Sequence, residues 1–319
     1  MSENITNAIN KKTTKKYAIL SSIIIILAII LVLTIFLKNR GYSLPTLKAI
    51  NSGITEIRIN RGTNETAFII IKLEDGKWTV NEKYNADLNI VASMTNALNS
   101  IQPVEIISRG DAEAEDREKY KLLDDESLNV IAIDGSSKEV RNIRFGMKST
   151  LGNNVYSQID KDKNIYLLGN LSSNPKDIFD KTEDDIINKT ISSIRNDSIN
   201  KIIISYNNKD YTLEKSEDAT NWIKDNNSNI NINDLYGQVY TIANLKADGV
   251  IKEDLNKNSV LYKIEISADS NILSYEILNK NNTNNNYEVS LENDNNRYYI
   301  TDATFTNLKE AIDNIINKK

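Results

Sequence analysis

The pattern of apolar positions begins with one uninterrupted stretch near the N-terminus. Residues 17–37 read YAILSSIIIILAIILVLTIFL, with no charged residue, no Pro and no Gly. As a helix this stretch would be about 30 Å long, which is the thickness of the hydrocarbon core of a bilayer. It exceeds the apolar core of a cleaved signal peptide, and no Ala-x-Ala cleavage motif follows it. The pattern therefore predicts an uncleaved transmembrane helix that contacts membrane lipid through residues 17–37.

The charges on either side of this stretch predict its orientation. Four Lys residues and one Glu precede it, whereas one Lys and one Arg follow it closely. The more positive flank of a membrane helix usually remains in the cytoplasm. We therefore expect a single-pass protein of the cell (inner) membrane, with a cytoplasmic tail over residues 1–16. Residues 38–319 would be extracytoplasmic, and residues 38–53 would form a stalk.

After the stalk, the apolar residues occur in the short alternating runs that are typical of β-strands. The first set of such runs lies at residues 54–59, 68–73, 78–80, 128–133, 140–146, 154–159 and 164–169. Between the third and fourth runs, Asp87 is a favoured N-cap, and apolar residues from Ile90 to Ile101 recur at helical spacing. Residues 54–195 are therefore predicted to form a first β-rich module.

Residues 196–319 repeat this order of elements. The only two Trp residues, Trp78 and Trp222, lie 144 residues apart in matching strand-like runs. A second helix is predicted to begin at an N-cap, Asp234, and a closing helix is predicted from about Thr304. We interpret Trp78, Asp87, Trp222 and Asp234 as structural residues, with one core Trp in each copy.

These patterns together predict an α+β fold. It has one N-terminal transmembrane helix, followed by two tandem copies of a mainly antiparallel β module with packed helices. No Pro-rich or Gly-rich linker separates the copies near residues 191–198. We therefore expect the two modules to pack against each other.

The composition excludes several classes of site. The chain has no His and no Cys, which removes the usual ligands of zinc and copper, the commonest general base, the thiol nucleophile and any disulfide. Of its 39 basic and 44 acidic side chains, six basic and one acidic precede residue 41, so the remainder carries a net charge of −10. This charge argues against nucleic acid as a partner and against a polybasic hold on anionic lipid. We assign no catalytic residue, no cofactor and no metal ligand.

Two acidic segments are candidates for binding chemistry. Residues 160–164, DKDKN, resemble the start of a calcium loop, but Ile165 and Leu171 stand where an EF-hand needs Gly and Glu. Residues 292–296 lie at the same place in the second copy, and we interpret both as polar hairpin turns. The other segment is either a solvated face or a contact for a basic patch on a partner, and its acids are Asp111, Glu113, Glu115 and Asp116.

The order of features after the membrane stretch resembles the bacterial family called domain of unknown function 4340. The matching features are Trp78, Ala86-Asp87, Tyr120-Lys121-Leu122 in place of a Tyr-Gly-Leu-like segment, Phe145-Gly146, a hairpin at Gly152–Tyr156, and its return strand Ile165–Leu167. The second copy lacks the Phe-Gly and the Gly-x-x-Tyr features. The resemblance implies no known activity and no known catalytic residue. It does imply a link to ABC-type transport systems and to gliding-motility auxiliary components, since some members of the family have one.

Three functional hypotheses follow. The first is a non-catalytic, membrane-anchored extracytoplasmic accessory protein, an auxiliary component of an ABC-type transport system that holds a protein partner in the membrane, such as the permease. The second is an envelope glycan-binding or carboxylate-dependent hydrolytic domain, with two acids about 5–10 Å apart in a cleft. The third is an extracytoplasmic regulator of a sensor protein.

Overall fold

The computed structural model describes residues 16–17, 19–34, 44–62, 68–73, 75–109, 114–252, 259–269, 271–280 and 285–318. Residues 16–17 and 19–34 are helical (α1), and their side chains are exposed. Residues 18 and 35–37 of the predicted transmembrane stretch lie outside the described residues. Among the helices that are described, none combines the length and the apolar character needed to span a bilayer.

The described residues form two antiparallel sheets of nine strands each. The first sheet contains β1 (Ile54–Arg61), β2 (Phe68–Lys72), β3 (Trp78–Val80), β4 (Tyr84–Asn85), β5 (Gln102–Ser108), β6 (Leu128–Asp134), β7 (Glu139–Lys148), β8 (Val155–Ile159) and β9 (Ile165–Gly169). The second contains β10 (Ile199–Tyr206), β11 (Lys209–Lys215), β12 (Asn221–Lys224), β13 (Ser228–Asn231), β14 (Gly249–Val250), β15 (Val260–Ala268), β16 (Asn271–Lys280), β17 (Tyr287–Leu291) and β18 (Arg297–Ile300).

The two sheets have the same topology. The first has the order β4-β3-β2-β1-β6-β7-β8-β9-β5, and the second has the order β13-β12-β11-β10-β15-β16-β17-β18-β14. Each strand of the second sheet therefore corresponds to the strand of the first sheet whose number is lower by nine, such as β10 to β1. This correspondence confirms the predicted α+β class and the two similar, mainly antiparallel modules.

A helix crosses each sheet because the strands on either side of it lie at opposite edges. In the first module, α2 (Leu88–Ser100) connects β4 to β5 and buries Val91, Met94, Ala97 and Leu98 in the core. The Asp87 carboxylate accepts hydrogen bonds from the backbone N–H groups of Asn89 and Ile90, at 2.9 and 3.4 Å, and so caps this helix. The helical stripe and the inward-facing strand residues thereby form one core.

The predicted cap at Asp234 is wrong. The chain enters the second module's helix, α6 (Tyr236–Ala243), through a 3₁₀ turn at Ile232–Leu235 whose N-cap is Asn231. Asp234 therefore lies inside this turn, where its side chain faces Lys318 at 3.5 Å and caps nothing. The extra turn also shortens α6 to 8 residues, against 13 in α2.

The remaining helices differ between the modules. The first module has three short ones, α3 (Ala114–Lys119), α4 (Pro175–Phe179) and α5 (Glu183–Ile186). The second closes on the long α7 (Asp302–Asn317), whose buried stripe is Phe305, Leu308, Ala311, Ile312 and Ile315. Lys224 on β12 donates to the carbonyls of Ile316 and Lys318 at 2.5 and 2.7 Å, and so fixes the C-terminal end of α7.

The segment that joins the modules pairs with both of them. Ala86 forms a β-bridge with Ile187 on the first-module side, and Thr190 forms one with Lys246 on the second-module side. Glu183 accepts from Asn81 at 2.9 Å and pairs with Lys252. The connection is therefore hydrogen-bonded along its length, as expected for modules that pack together.

Residues 44–52, which we call the strap, lie against the first module. The backbone of Leu47 exchanges two hydrogen bonds with the Gln102 side chain, and the N–H of Ile50 donates to Asn99 at 3.2 Å. Arg141, buried on β7, donates to the carbonyl of Lys48 at 2.6 Å. The part of the predicted stalk that is described is therefore fixed to the module.

Candidate functional site

The two Trp residues occupy equivalent ladder positions but differ in burial. Trp78 is paired with Lys72, and Trp222 with Lys215, in strands of the same register. Trp222 is 1% exposed, with the Lys215 ammonium 5.5 Å from its ring, whereas Trp78 packs on the core and is partly buried. Both side chains thus contribute to packing in their own module.

Residues 160–164 form the turn between β8 and β9, and residues 292–296 form the turn between β17 and β18. The Asp162 carboxylate accepts from the Asn164 N–H at 2.9 Å and from the Tyr166 hydroxyl at 2.5 Å. Asp294 accepts in the same way from Asn296 at 2.8 Å and from the Tyr298 hydroxyl at 2.8 Å. These acids stabilise their own hairpins, and the described residues include no group of three acids that could hold a metal ion.

Two carboxylates are buried in the described residues, one in each module. Asp134 accepts from the Ser136 hydroxyl and N–H and from the Lys138 N–H, and these hydrogen bonds lower its pKa to about 2. Glu288 makes a bidentate ion pair with Arg297, with both N–O distances at 2.5 Å. Each carboxylate is therefore committed to a structural partner.

Three of the features that carry the family resemblance, at Tyr120–Leu122, Phe145-Gly146 and Tyr156, meet where residues 114–122 lie on β7 and β8. We call this segment the α3 platform. The carbonyl of Tyr120 accepts from the Met147 N–H at 2.9 Å, its ring stacks on Tyr156 at 4.4 Å, and Leu122 is fully buried. A Cβ at Gly146 would lie 2.1 Å from the Tyr120 carbonyl oxygen, so the close approach requires a glycine there.

Lys121 occupies the position at which the family's Tyr-Gly-Leu-like segment has a glycine. Its φ is +56°, in the left-handed region that glycine adopts without strain. A Lys in this position retains the turn that places Tyr120 and Leu122 on the sheet, at a cost of about 1 kcal/mol relative to glycine.

A half-buried cation holds β7 at the glycine that contacts the platform. The Lys176 ammonium, on α4, donates to the carbonyl of Gly146 at 2.7 Å. Burial lowers the pKa of Lys176, Asp180 raises it, and the nearby Lys148, Lys121 and Arg61 lower it further. The rings of Phe145 and Phe179 stack at 5.6 Å below this contact. The platform is therefore fixed by packing, by hydrogen bonds and by a steric fit.

The acidic segment is presented by this platform. Asp111 and Glu113 lie outside the described residues. Glu115 is exposed on α3, together with Glu118, whereas the carboxylate of Asp116 accepts from the Ser108 hydroxyl at 2.7 Å. Of the four acids, Glu115 thus projects into solvent and Asp116 ties α3 to the end of β5.

A polar pocket of about 420 Å³ lies beside α3. Arg117 and Arg144 both donate to the carbonyl of Leu122 at 3.3 Å, and Arg144 also pairs with Asp124. The pocket is lined by Arg117, Asn142, Arg144, Gln158, Asp160, Lys161, Asp162 and Lys163. Sequence reasoning missed this pocket because its residues come from α3, two strands and a turn.

One comparison with known proteins gives a match. The model of the family described as Domain of unknown function (DUF4340) matches residues 78–261, from β3 of the first module to β15 of the second. The match therefore includes the α3 platform, the connecting segment and the start of the second module. No curated protein and no solved structure matches the chain.

Proposed function

The chain belongs to the DUF4340 family, and we propose that it is a non-catalytic, membrane-anchored extracytoplasmic accessory protein that holds a protein partner in the membrane. The partner in this proposal is a subunit of an ABC-type transport system, and the permease is the first candidate. The α3 platform is the surface that contacts it. The observation that carries the proposal is a helix that exposes Glu115 and Glu118 and is held on the sheet by the family's own motif residues.

The sequence and the strap support the membrane anchor. The apolar stretch 17–37 has the length of a bilayer core, and the side chains of α1 are exposed. Residues 35–43 separate α1 from the strap, and ten extended steps span at most about 35 Å. The hydrogen bonds of the strap would keep the first module within that distance of the membrane, with its platform in reach of a membrane partner.

The state of the buried acids supports a binding role over carboxylate catalysis. A general acid needs a raised pKa, whereas the pKa of Asp134 is lowered. Glu288 is held in an ion pair with Arg297. An exposed helix that is held in place on a sheet suits recognition of a protein partner, because little conformational entropy is lost when it binds. Glu115 and Glu118 on this helix would attract a basic patch on the partner.

In-membrane crosslinking of the tagged full chain tests the proposal. The C-terminal tag allows recovery, and mass spectrometry identifies the crosslinked proteins. We expect ABC permease or ATPase subunits with the wild type, and at least a fivefold loss of that product with Glu115→Lys/Glu118→Lys. Glu310→Lys, on the exposed face of α7, is the matched control and should retain the product.

Two results would overturn the proposal. Recovery of the bait alone, from cells that express the permease, would refute a membrane partner. Equal crosslinking by the α3 variant and by the Glu310 control would show that the partner does not use the α3 platform.

A further inference from the structure

The pocket beside α3 has a counterpart at the same place in the second module. In the first module Arg144 is paired with Gln158, and in the second Glu276 is paired with Ser290, with the same register along both strand pairs. The second pocket has a volume of about 440 Å³. Its lining residues are Lys263, Ser274, Tyr275, Glu276, Ser290, Leu291, Glu292, Asp294, Asn295, Asn296 and Arg297.

The acids of the two pockets correspond, but the cations do not. Asp160 and Asp162 of the first pocket match Glu292 and Asp294 of the second. In contrast, the register places Glu276 where the first module has Arg144. It also places Asn293 and Asn295 where the first module has Lys161 and Lys163. The net charge of the lining side chains is +2 in the first pocket and −1 in the second.

This comparison shows which charged side chains the hairpin needs for its own structure. The second module forms the same hairpin, with the same Asp–Tyr hydrogen bond, without the two lysines. The lysines are therefore not needed to build the turn. The acids are engaged within the protein, because Asp160 accepts from the Asn142 N–H at 2.8 Å and Asp162 from Tyr166.

The cations of the pocket suit a phosphate group, although both guanidinium groups also donate to the Leu122 carbonyl and Arg144 pairs with Asp124. Guanidinium groups recognise phosphate oxygens by charge-assisted hydrogen bonds, and Lys adds a mobile positive charge. Asn142 and Gln158 also line the pocket, and their side-chain amides donate to Glu139 at 3.3 Å and to the Lys163 carbonyl at 3.2 Å. A tetrahedral anion in the pocket would meet Arg117, Arg144 and Lys161 together.

The pocket lies at the end of the sheet that also holds the strap. A second cavity, of about 560 Å³, is lined by strap residues 46–52 together with Arg141 and Asp160. Asp160 lines both cavities, since it faces Asn142 on one side and Arg141, at 3.6 Å, on the other. The cationic pocket is thus next to the segment through which the chain would approach the membrane.

We propose that the pocket formed by Arg117, Arg144, Lys161 and Lys163 binds the phosphate of an anionic phospholipid headgroup and so orients the first module on the membrane. This inference rests on the anchoring in the proposed function. Under this proposal, the outer region has one cationic site that faces lipid, despite its negative net charge.

The test compares the full chain in nanodiscs of phosphatidylcholine with nanodiscs that contain phosphatidylglycerol. Hydrogen exchange of residues 157–164 is the readout. We expect at least threefold slower exchange in the anionic discs, and loss of this difference in Lys161→Asn/Lys163→Asn. Those substitutions copy the second module, so the hairpin should fold. Lys263→Asn, in the second pocket, is the matched control and should retain the difference.

The outcomes separate this inference from the proposed function. Copurification with the discs measures anchoring independently of the pocket. A chain that enters the discs but exchanges equally in both lipids overturns this inference alone, and a chain that stays outside them overturns both. If inorganic phosphate slowed the exchange of residues 157–164 equally in both kinds of disc, the site would bind a soluble anion, and the proposal of a lipid headgroup would be overturned.

Discussion

The contact between Gly146 and the Tyr120 carbonyl predicts that Gly146→Ala will release the α3 platform. An added Cβ would lie 2.1 Å from this oxygen and 3.0 Å from the Leu122 side chain, so the backbone of the platform must move by about 1 Å or more. The φ of Gly146 is not in the left-handed region, and the expected effect is therefore purely steric.

The magnitude follows from what the movement breaks. Inserting a methyl group into a packed site costs about 1–3 kcal/mol if the structure adjusts around it. Complete release would lose the burial of Leu122, worth about 1.5–3 kcal/mol. It would also lose the Tyr120–Tyr156 stack, worth about 0.5–1.5 kcal/mol, and the Met147 hydrogen bond, worth about 1 kcal/mol. Adjustment sets the lower limit and complete release the upper limit, so we expect a loss of about 1–5 kcal/mol from the free energy of unfolding.

The assay combines urea unfolding of the full chain with hydrogen exchange of residues 114–122. Gly237→Ala on α6 is the matched control, because a Cβ there meets no atom within 4 Å. This control should raise the stability by up to about 1 kcal/mol, since Ala is the better helix former. If Gly146→Ala changed the stability by less than about 0.5 kcal/mol and left the exchange of the platform unchanged, the steric argument would be refuted.

Three further predictions concern the frame of the two modules. Asp87→Ala should cost about 1 kcal/mol in urea unfolding, because it removes a helix cap, whereas Asp234→Ala should cost less than about 0.5 kcal/mol; equal losses would contradict the assignment of the caps. Lys224→Met should cost about 1–2 kcal/mol and speed hydrogen exchange in the last turn of α7, and unchanged exchange there would contradict this role. The pKa of Asp134 is about 2 when folded and near 4 when unfolded, so its stabilisation is complete above pH 4 and is lost as the pH falls through 2. The urea midpoints of the wild type and Asp134→Asn should therefore converge between pH 5 and pH 2, and a constant difference would exclude this linkage.

Periodicity located the longer elements because their apolar positions face one core. The runs at 128–133 and 154–159 match β6 and β8 to within a residue at each end, and α7 begins two residues before the predicted Thr304. Strands β4, β5, β13 and β14 were not predicted. β4 and β14 have two residues each, and β5 contains Pro103, which is a signal against a strand. Their pairing is set by neighbouring strands and not by a pattern of their own.

The candidate sites depended more strongly on tertiary structure. The signal for Asp234 as a cap was the same as for Asp87, and only the path of the chain through a 3₁₀ turn distinguished them. Gly146 and Lys121 could be recognised in the sequence as motif positions. The structural reason for them is the contact between Tyr120 and Gly146, which are 26 residues apart along the chain. A comparison of the two hairpins along the sequence could have found the lysines of the cationic pocket, but not Arg117.

The sequence by itself determined the apolar stretch, the duplicated module, the absence of His and Cys chemistry, and the family. These properties depend on residue type and spacing along the chain, which are local and periodic. Only the tertiary structure decided which charges are used up within the protein, how the strap is fixed, and where a cationic pocket forms on an acidic chain. Such properties depend on side chains that are distant in sequence and adjacent in space, because ion pairing, burial and steric fit act over a few ångströms and not along the chain.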